Sequence, residues 1–158
     1  MASLTGYTKV FAGDTTAVDT TKKHPLGTRA MDVNGNEYIY LTGVASTEAG
    51  SWVSFDEVHI TTLTVANAKG RVAIAMAATV ASTYGWYQIY GKSTTALVAS
   101  TVADNALLYL HASAGRVDDV DVSGDLILGA IARSLATNVA SPLTVELNYP
   151  CVDDVADD

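Results

Sequence analysis

Three short stretches have residue types that could do chemistry. Gly91-Lys92-Ser93 resembles the end of a phosphate-binding loop. Such a loop needs another glycine five places earlier, so that backbone amides can ring the phosphates. Trp86 stands there, and a turn after a strand accounts for Gly91. Asp119-Val120-Asp121-Val122-Ser123-Gly124-Asp125 copies the front of a calcium loop, with alternating oxygen ligands and a glycine at the sharp bend. The bidentate glutamate that closes such a loop belongs at its twelfth place, which is Ala130, so the stretch reads as an acidic surface turn. His111-Ala112-Ser113-Ala114-Gly115 spaces serine and glycine like a nucleophile elbow, but histidine replaces the first glycine and no helical pattern follows. His24, His59 and His111 have no metal-ligand spacing, and Cys151 stands alone. Of the glutamates, Glu37, Glu48, Glu57 and Glu146, none has a recognisable catalytic setting. The expectation is a protein that is not an enzyme and carries neither cofactor nor metal.

What remains are aromatic residues: Trp52 with Phe55, and Tyr84, Trp86, Tyr87 and Tyr90. Tyrosine and tryptophan serve equally as core and as interface hot spots. A strand with aromatics on both faces can bury one set and offer the other outward.

The 158 residues are 49% apolar and 16% charged, which suits one compact domain rather than a disordered chain. A net charge of −8 argues against nucleic-acid and anionic-membrane partners, since both would repel this surface. A single cysteine closes no disulfide within the chain, so packing must hold the fold. The first residues read as neither a secretory signal nor a lipidation site, and the longest uncharged run is interrupted by Ser82, Thr83, Gly85 and Gln88. No transmembrane segment and synthesis in a cytoplasm are expected.

The elements that must position these residues read as β throughout. Residues 1–24 keep neither a helical nor a strand period and are expected to form an extended arm, with a hinge at Thr20–Pro25. Asn34-Gly35 predicts a hairpin between Ala30-Met31 and Tyr38–Leu41. Further strands are expected at 52–55, 58–65, 71–79, 84–91, 107–111, 126–131 and 143–149. Within 71–79, Val72, Ile74 and Met76 alternate with alanines, giving one bulky face and one smooth face open to a second sheet or subunit. In the last strand Leu143, Val145, Leu147 and Tyr149 are expected to share the dry face. The fold class is therefore all-β: a single antiparallel sandwich or barrel over 25–150, with an acidic tail at 151–158.

Pro25-Leu26-Gly27-Thr28-Arg29, the run Asp32–Tyr40, Trp52-Val53, the run Tyr84–Gly91, Leu108-Tyr109-Leu110 and Leu147-Asn148-Tyr149-Pro150 together resemble small β-rich head proteins of tailed bacteriophages. These are capsid decoration, or cement, proteins. The resemblance implies a structural virion protein on the capsid exterior. Its partner would be the major capsid protein, and it would often act as a homotrimer at threefold or quasi-threefold positions. The resemblance covers roughly residues 25–150 and leaves the arm and the acidic tail outside it; two further expectations for contacts come from the irregular N-terminal segment and from the strands. Leu4, Tyr7, Val10 and Phe11 of the arm are placed against the capsid or a neighbouring subunit, and Trp52, Trp86, Tyr87 and Tyr90 in core and subunit contacts. The rival expectation is a carbohydrate-binding or host-attachment module of a virion, which needs a Trp or Tyr open to solvent.

Overall fold

Asn34-Gly35 does sit in a hairpin, but the turn is five residues long and only Gly35 takes a positive φ, +82°. Asp32 organises it: its carboxylate accepts from the backbone of Asn34 and Asn36, from the Asn36 amide and from the Tyr38 hydroxyl at 2.8–2.9 Å. This computed structural model describes residues 13–152, and no helix occurs among them.

Eleven strands form one antiparallel sheet that does not close. They are β1 (Val18–Asp19), β2 (Arg29–Met31), β3 (Glu37–Thr42), β4 (Trp52–Phe55), β5 (Thr61–Leu63) and β6 (Gly70–Ala75), then β7 (Tyr84–Ala96), β8 (Leu107–Leu110), β9 (Val117–Asp118), β10 (Leu126–Ala132) and β11 (Leu143–Val152). The order is β2-β3-β7-β6-β11-β10-β8-β9, with β1 on β7 and β4 joining β5 to β6. The 13-residue β7 links two regions: Tyr84–Tyr90 pairs with β3 and β6, and Tyr90–Ala96 pairs with β11. Gly91, at φ +90°, is the first residue past their shared Tyr90, and a strand bent in this way can serve two packed layers.

The expected strand over 71–79 forms as Gly70–Ala75, and both its faces are buried. Val72 and Ile74 join the largest core with Trp52, Leu108, Leu110, Ile127, Leu143, Val145 and Leu147. Ala73 and Ala75 join a second core with Ile39, Leu41, Val53, Phe55, Tyr87 and Ile89. The smooth face is thus covered by this chain's own aromatics, and Ala75 stands opposite Tyr87 in the ladder, a small residue beside a ring. The sheet curls around this second core until β5 meets β3, where Thr61 bonds the Thr42 carbonyl and hydroxyl at 2.8 and 3.1 Å.

Three expectations need correction. The strand over 58–65 shrinks to Thr61–Leu63, because the Asp56 carboxylate accepts from the Val58 and Ile60 amides and turns the chain, with His59 at φ +69°. The alternation of the last strand breaks at Tyr149. Leu143, Val145 and Leu147 point inward, but Tyr149, at φ +49°, is 46% exposed. Here only Gly129 lies between the pairs Leu128↔Cys151 and Ala130↔Leu147, against three residues on β11, and that bulge reverses the side-chain phase. Finally, the sheet reaches past both expected boundaries. β1 precedes Pro25, with Asp19 buried and bonded to Tyr40 and Lys23, and β11 continues through Cys151 to Val152.

Gly50 shows how tightly the strand ends meet. Its amide donates to the Ala75 carbonyl, its own carbonyl accepts from Leu97, and a Cβ there would collide with the Thr95 carbonyl oxygen at φ +90°. Gly50→Ala is expected to cost at least about 2 kcal/mol, or roughly 4–8 °C in melting temperature. Gly35→Ala, with open space around its Cβ, should lose only the backbone strain of about 1 kcal/mol. Equal melting temperatures for the two variants would contradict this packing.

Candidate interaction surface

The structure separates the aromatics expected at interfaces. Trp52 and Tyr87 are fully buried and Trp86 is 3% exposed. The Trp52 indole donates to the Leu97 carbonyl at 3.2 Å, and the Tyr87 hydroxyl donates to the Thr42 carbonyl at 3.1 Å and meets the Thr79 hydroxyl at 2.8 Å. Trp86 packs against Tyr40 and His24, with ring centres 5.1 and 5.3 Å away. All three are therefore core residues: Trp52 on β4, and Trp86 and Tyr87 on the stretch of β7 from Gly85 to Ile89, where the same chain covers both faces. Leu4, Tyr7, Val10 and Phe11 lie outside the described residues. Tyr90 alone of the set reaches solvent, at 38% exposure.

Tyr90 has a companion that the sequence had placed inward. The bulge in β11 brings the Tyr149 ring 5.2 Å from that of Tyr90. The Tyr149 hydroxyl donates to Glu37 at 2.8 Å, and the Arg29 guanidinium lies 5.5 Å from its ring centre. The bond to Glu37 is the main cause that raises the Tyr149 phenol above its ordinary range. Pro150 was the available signal, since a proline inside a strand pattern marks a place where the ladder breaks.

Beside this pair lies the outer face of β7, β11, β10 and β8. The pairing Lys92↔Glu146, Glu146↔Ile131 and Ile131↔Leu107 sets one row across four strands. A shallow groove of about 260 Å³ follows β10, lined by Leu107, Leu126, Leu128, Ile131, Glu146 and Asn148 among others. Leu107 and Leu128 are half exposed. The groove's polar edge is tied down, because Arg133 bonds Glu146 at 2.8 Å and Asn105 at 2.7 Å. Sequence reasoning missed this face because Leu126-Ile127-Leu128 is an unbroken apolar run, which gives no phase. The bulge at Gly129 resets the alternation between Leu128 and Ala130.

The acidic stretch is used locally. Asp119 accepts from the Ala103 amide at 2.8 Å, Asp118 from Val120 at 3.2 Å, and the buried Asp125 from Asn67 at 2.5 Å, so these carboxylates brace separate loops. In 111–115 the Ser113 backbone donates to His111 Nδ1 at 2.9 Å, a local turn. Among the described residues no three His, Cys, Asp or Glu side chains gather as metal ligands.

Tyr38 and Tyr40, which cluster with Trp86 in a third, smaller core, set a pH limit. Burial, then bonds to Asp32 and Asp19 respectively, push the phenols of Tyr38 and Tyr40 up to about 12. A pKa raised by folding stabilises the native state fully below the unfolded value near 10, and that stabilisation disappears as pH rises towards 12. Denaturation midpoints should therefore fall between pH 10 and 12, with these tyrosines ionising late in an absorbance titration. Ionisation of all tyrosines near pH 10, with an unchanged midpoint, would contradict the buried bonds.

Comparison with protein-family models, curated proteins and solved structures finds no match for this chain.

Proposed function

We propose that the protein is a structural virion protein, a decoration or cement protein that binds the outer surface of a phage capsid and stabilises the shell. The observation that carries the reading is the outer face of β10 and β8. Leu107 and Leu128 stand half exposed beside a groove on a chain of net charge −8. Exposed apolar surface rimmed by polar groups suits a protein partner. Lys92, Glu146 and Arg133 form such a rim. The resemblance in sequence pattern names the partner class, a lattice of major capsid protein.

Binding only the assembled lattice stabilises it by mass action, about 2.7 kcal/mol per site when the free protein stands at a hundred times its Kd. A homotrimer would add avidity without improving any single contact. The test is light scattering on the pure protein, together with pelleting through a cushion in the presence of matching empty capsids. Saturable co-sedimentation at a fixed ratio to capsid subunits supports the proposal, and a protein that stays in the supernatant overturns it.

One observation favours a second reading, a carbohydrate-binding module. Tyr90 and Tyr149 are both open to solvent, with Glu37 and Arg29 beside them. Aromatic faces next to polar side chains can hold sugar rings. A glycan array on the wild type and on Tyr149→Ala separates this from capsid binding.

A further inference from the structure

The four arginines of this chain divide into two pairs. Arg116 and Arg133 are committed: Arg116 lies 3.7 Å from Glu48 and donates to the Val98 and Val139 carbonyls, and Arg133 is bonded to Glu146 and Asn105. Arg29 and Arg71 make no ion pair among the described residues. Yet these two line the same pocket, of about 70 Å³, at the β6–β11 junction. Phe55, Val72, Ile89 and Pro150 give it an apolar floor, with Tyr149 at its side.

Each guanidinium is held by an aromatic face. Arg71 lies over Phe55 at 4.5 Å, and one of its nitrogens donates to the Asp56 carbonyl at 2.7 Å. Arg29 lies over Tyr149 at 5.5 Å. Stacking occupies the flat face of a guanidinium and leaves its N–H edge available, which lowers the entropy lost when that edge grips a planar anion. Glu37, which accepts from the Tyr149 hydroxyl at the pocket's wall, makes no ion pair with either arginine.

We propose that Arg29 and Arg71 form a carboxylate-binding subsite that takes an aspartate or glutamate side chain of a protein partner. Charge complementarity selects an anion, because two arginines that make no ion pair among the described residues line one pocket of a chain whose net charge is −8. Size selects the carrier. A pocket of about 70 Å³ matches a carboxylate with its methylene, and glucuronic acid tests whether a pyranose ring is accepted at its open mouth. Fork-shaped donors favour a carboxylate approached by two N–H groups at once. The site is independent of the groove on β10, and its test needs no capsid.

The experiment follows the arginine Nε–H resonances of the full chain by NMR while titrating N-acetyl-glutamic acid α-amide, its neutral glutamine counterpart, and glucuronic acid. The expected result is saturable movement of the Arg29 and Arg71 signals with the glutamate probe alone. Arg29→Gln and Arg71→Gln together should weaken binding at least about tenfold, whereas Lys22→Gln, which removes a charge elsewhere, should leave it unchanged. Arg71→Lys keeps the charge and loses the fork, so it guards against a folding artefact and should also bind more weakly with an unaltered melting temperature. Equal response to the neutral probe, or movement of Arg116 and Arg133 to the same degree, overturns the proposal. A stronger response to glucuronic acid than to the glutamate probe assigns the pocket to acidic sugars and overturns it as well.

Discussion

Replacing Trp52 with alanine is expected to remove about 3–5 kcal/mol of folding stability, the range for deleting a buried large aromatic side chain. Trp52 has no solvent exposure, and it belongs to the core that joins β4 and β6 to β8, β10 and β11. Its indole N–H also satisfies the Leu97 carbonyl just beyond the end of β7. Alanine would therefore leave a cavity and an orphaned acceptor at the place where the two halves of the sheet are tied together. A domain of this size has on the order of 5–15 kcal/mol in total, so the variant should stand near its unfolding threshold. Urea denaturation of both proteins checks this through the midpoint. A midpoint within error of the wild type would show that Trp52 is not packed as described. Trp86→Ala should also be destabilising, in a monomer as much as in an oligomer, since its neighbours are Tyr40 and His24 of the same chain.

The second large effect concerns binding. Leu107→Glu combined with Leu128→Glu is expected to abolish capsid occupancy while leaving the fold intact. Both side chains are half exposed in the free protein, so the carboxylates remain hydrated there and the melting temperature should move by no more than about 1–2 °C. Once the face is covered, each carboxylate loses its water without gaining a partner. That costs several kcal/mol, equivalent to at least a hundredfold loss of affinity. Circular dichroism and thermal melting on the purified variant distinguish a lost contact from a lost fold.

Much of the β character could be read from the sequence because local and tertiary preferences agree. The two-residue alternation of Val72 and Ile74 with alanines outweighed the helical propensity of the alanines, because β4 and β7 cover both sides of β6. The sequence alone could not divide Trp52, Trp86, Tyr87 and Tyr90 between core and surface. Composition shows that a strand has aromatics on both faces, but not that a single chain will supply two cores to bury them. The exposed groups were hidden by irregularity. Tyr149 and the leucines of β10 flank the bulge at Gly129, where one residue on β10 faces three on β11, and periodicity loses its phase at such a place. That Arg29 and Arg71 line one pocket was equally illegible: they are 42 positions apart in the chain and come to it only because β3, β7 and β6 are neighbours in the sheet.

Two surfaces now compete for the role of principal contact: the leucine-lined face of β10 and β8, and the open tyrosine pair. The most direct measurement is saturation pelleting with matching empty capsids, using the wild type, the Leu107→Glu/Leu128→Glu variant and Tyr149→Ala in parallel. The proposal predicts saturable binding of the wild type, near-normal binding of Tyr149→Ala, and none of the double variant. Undiminished pelleting of a folded double variant would contradict the account.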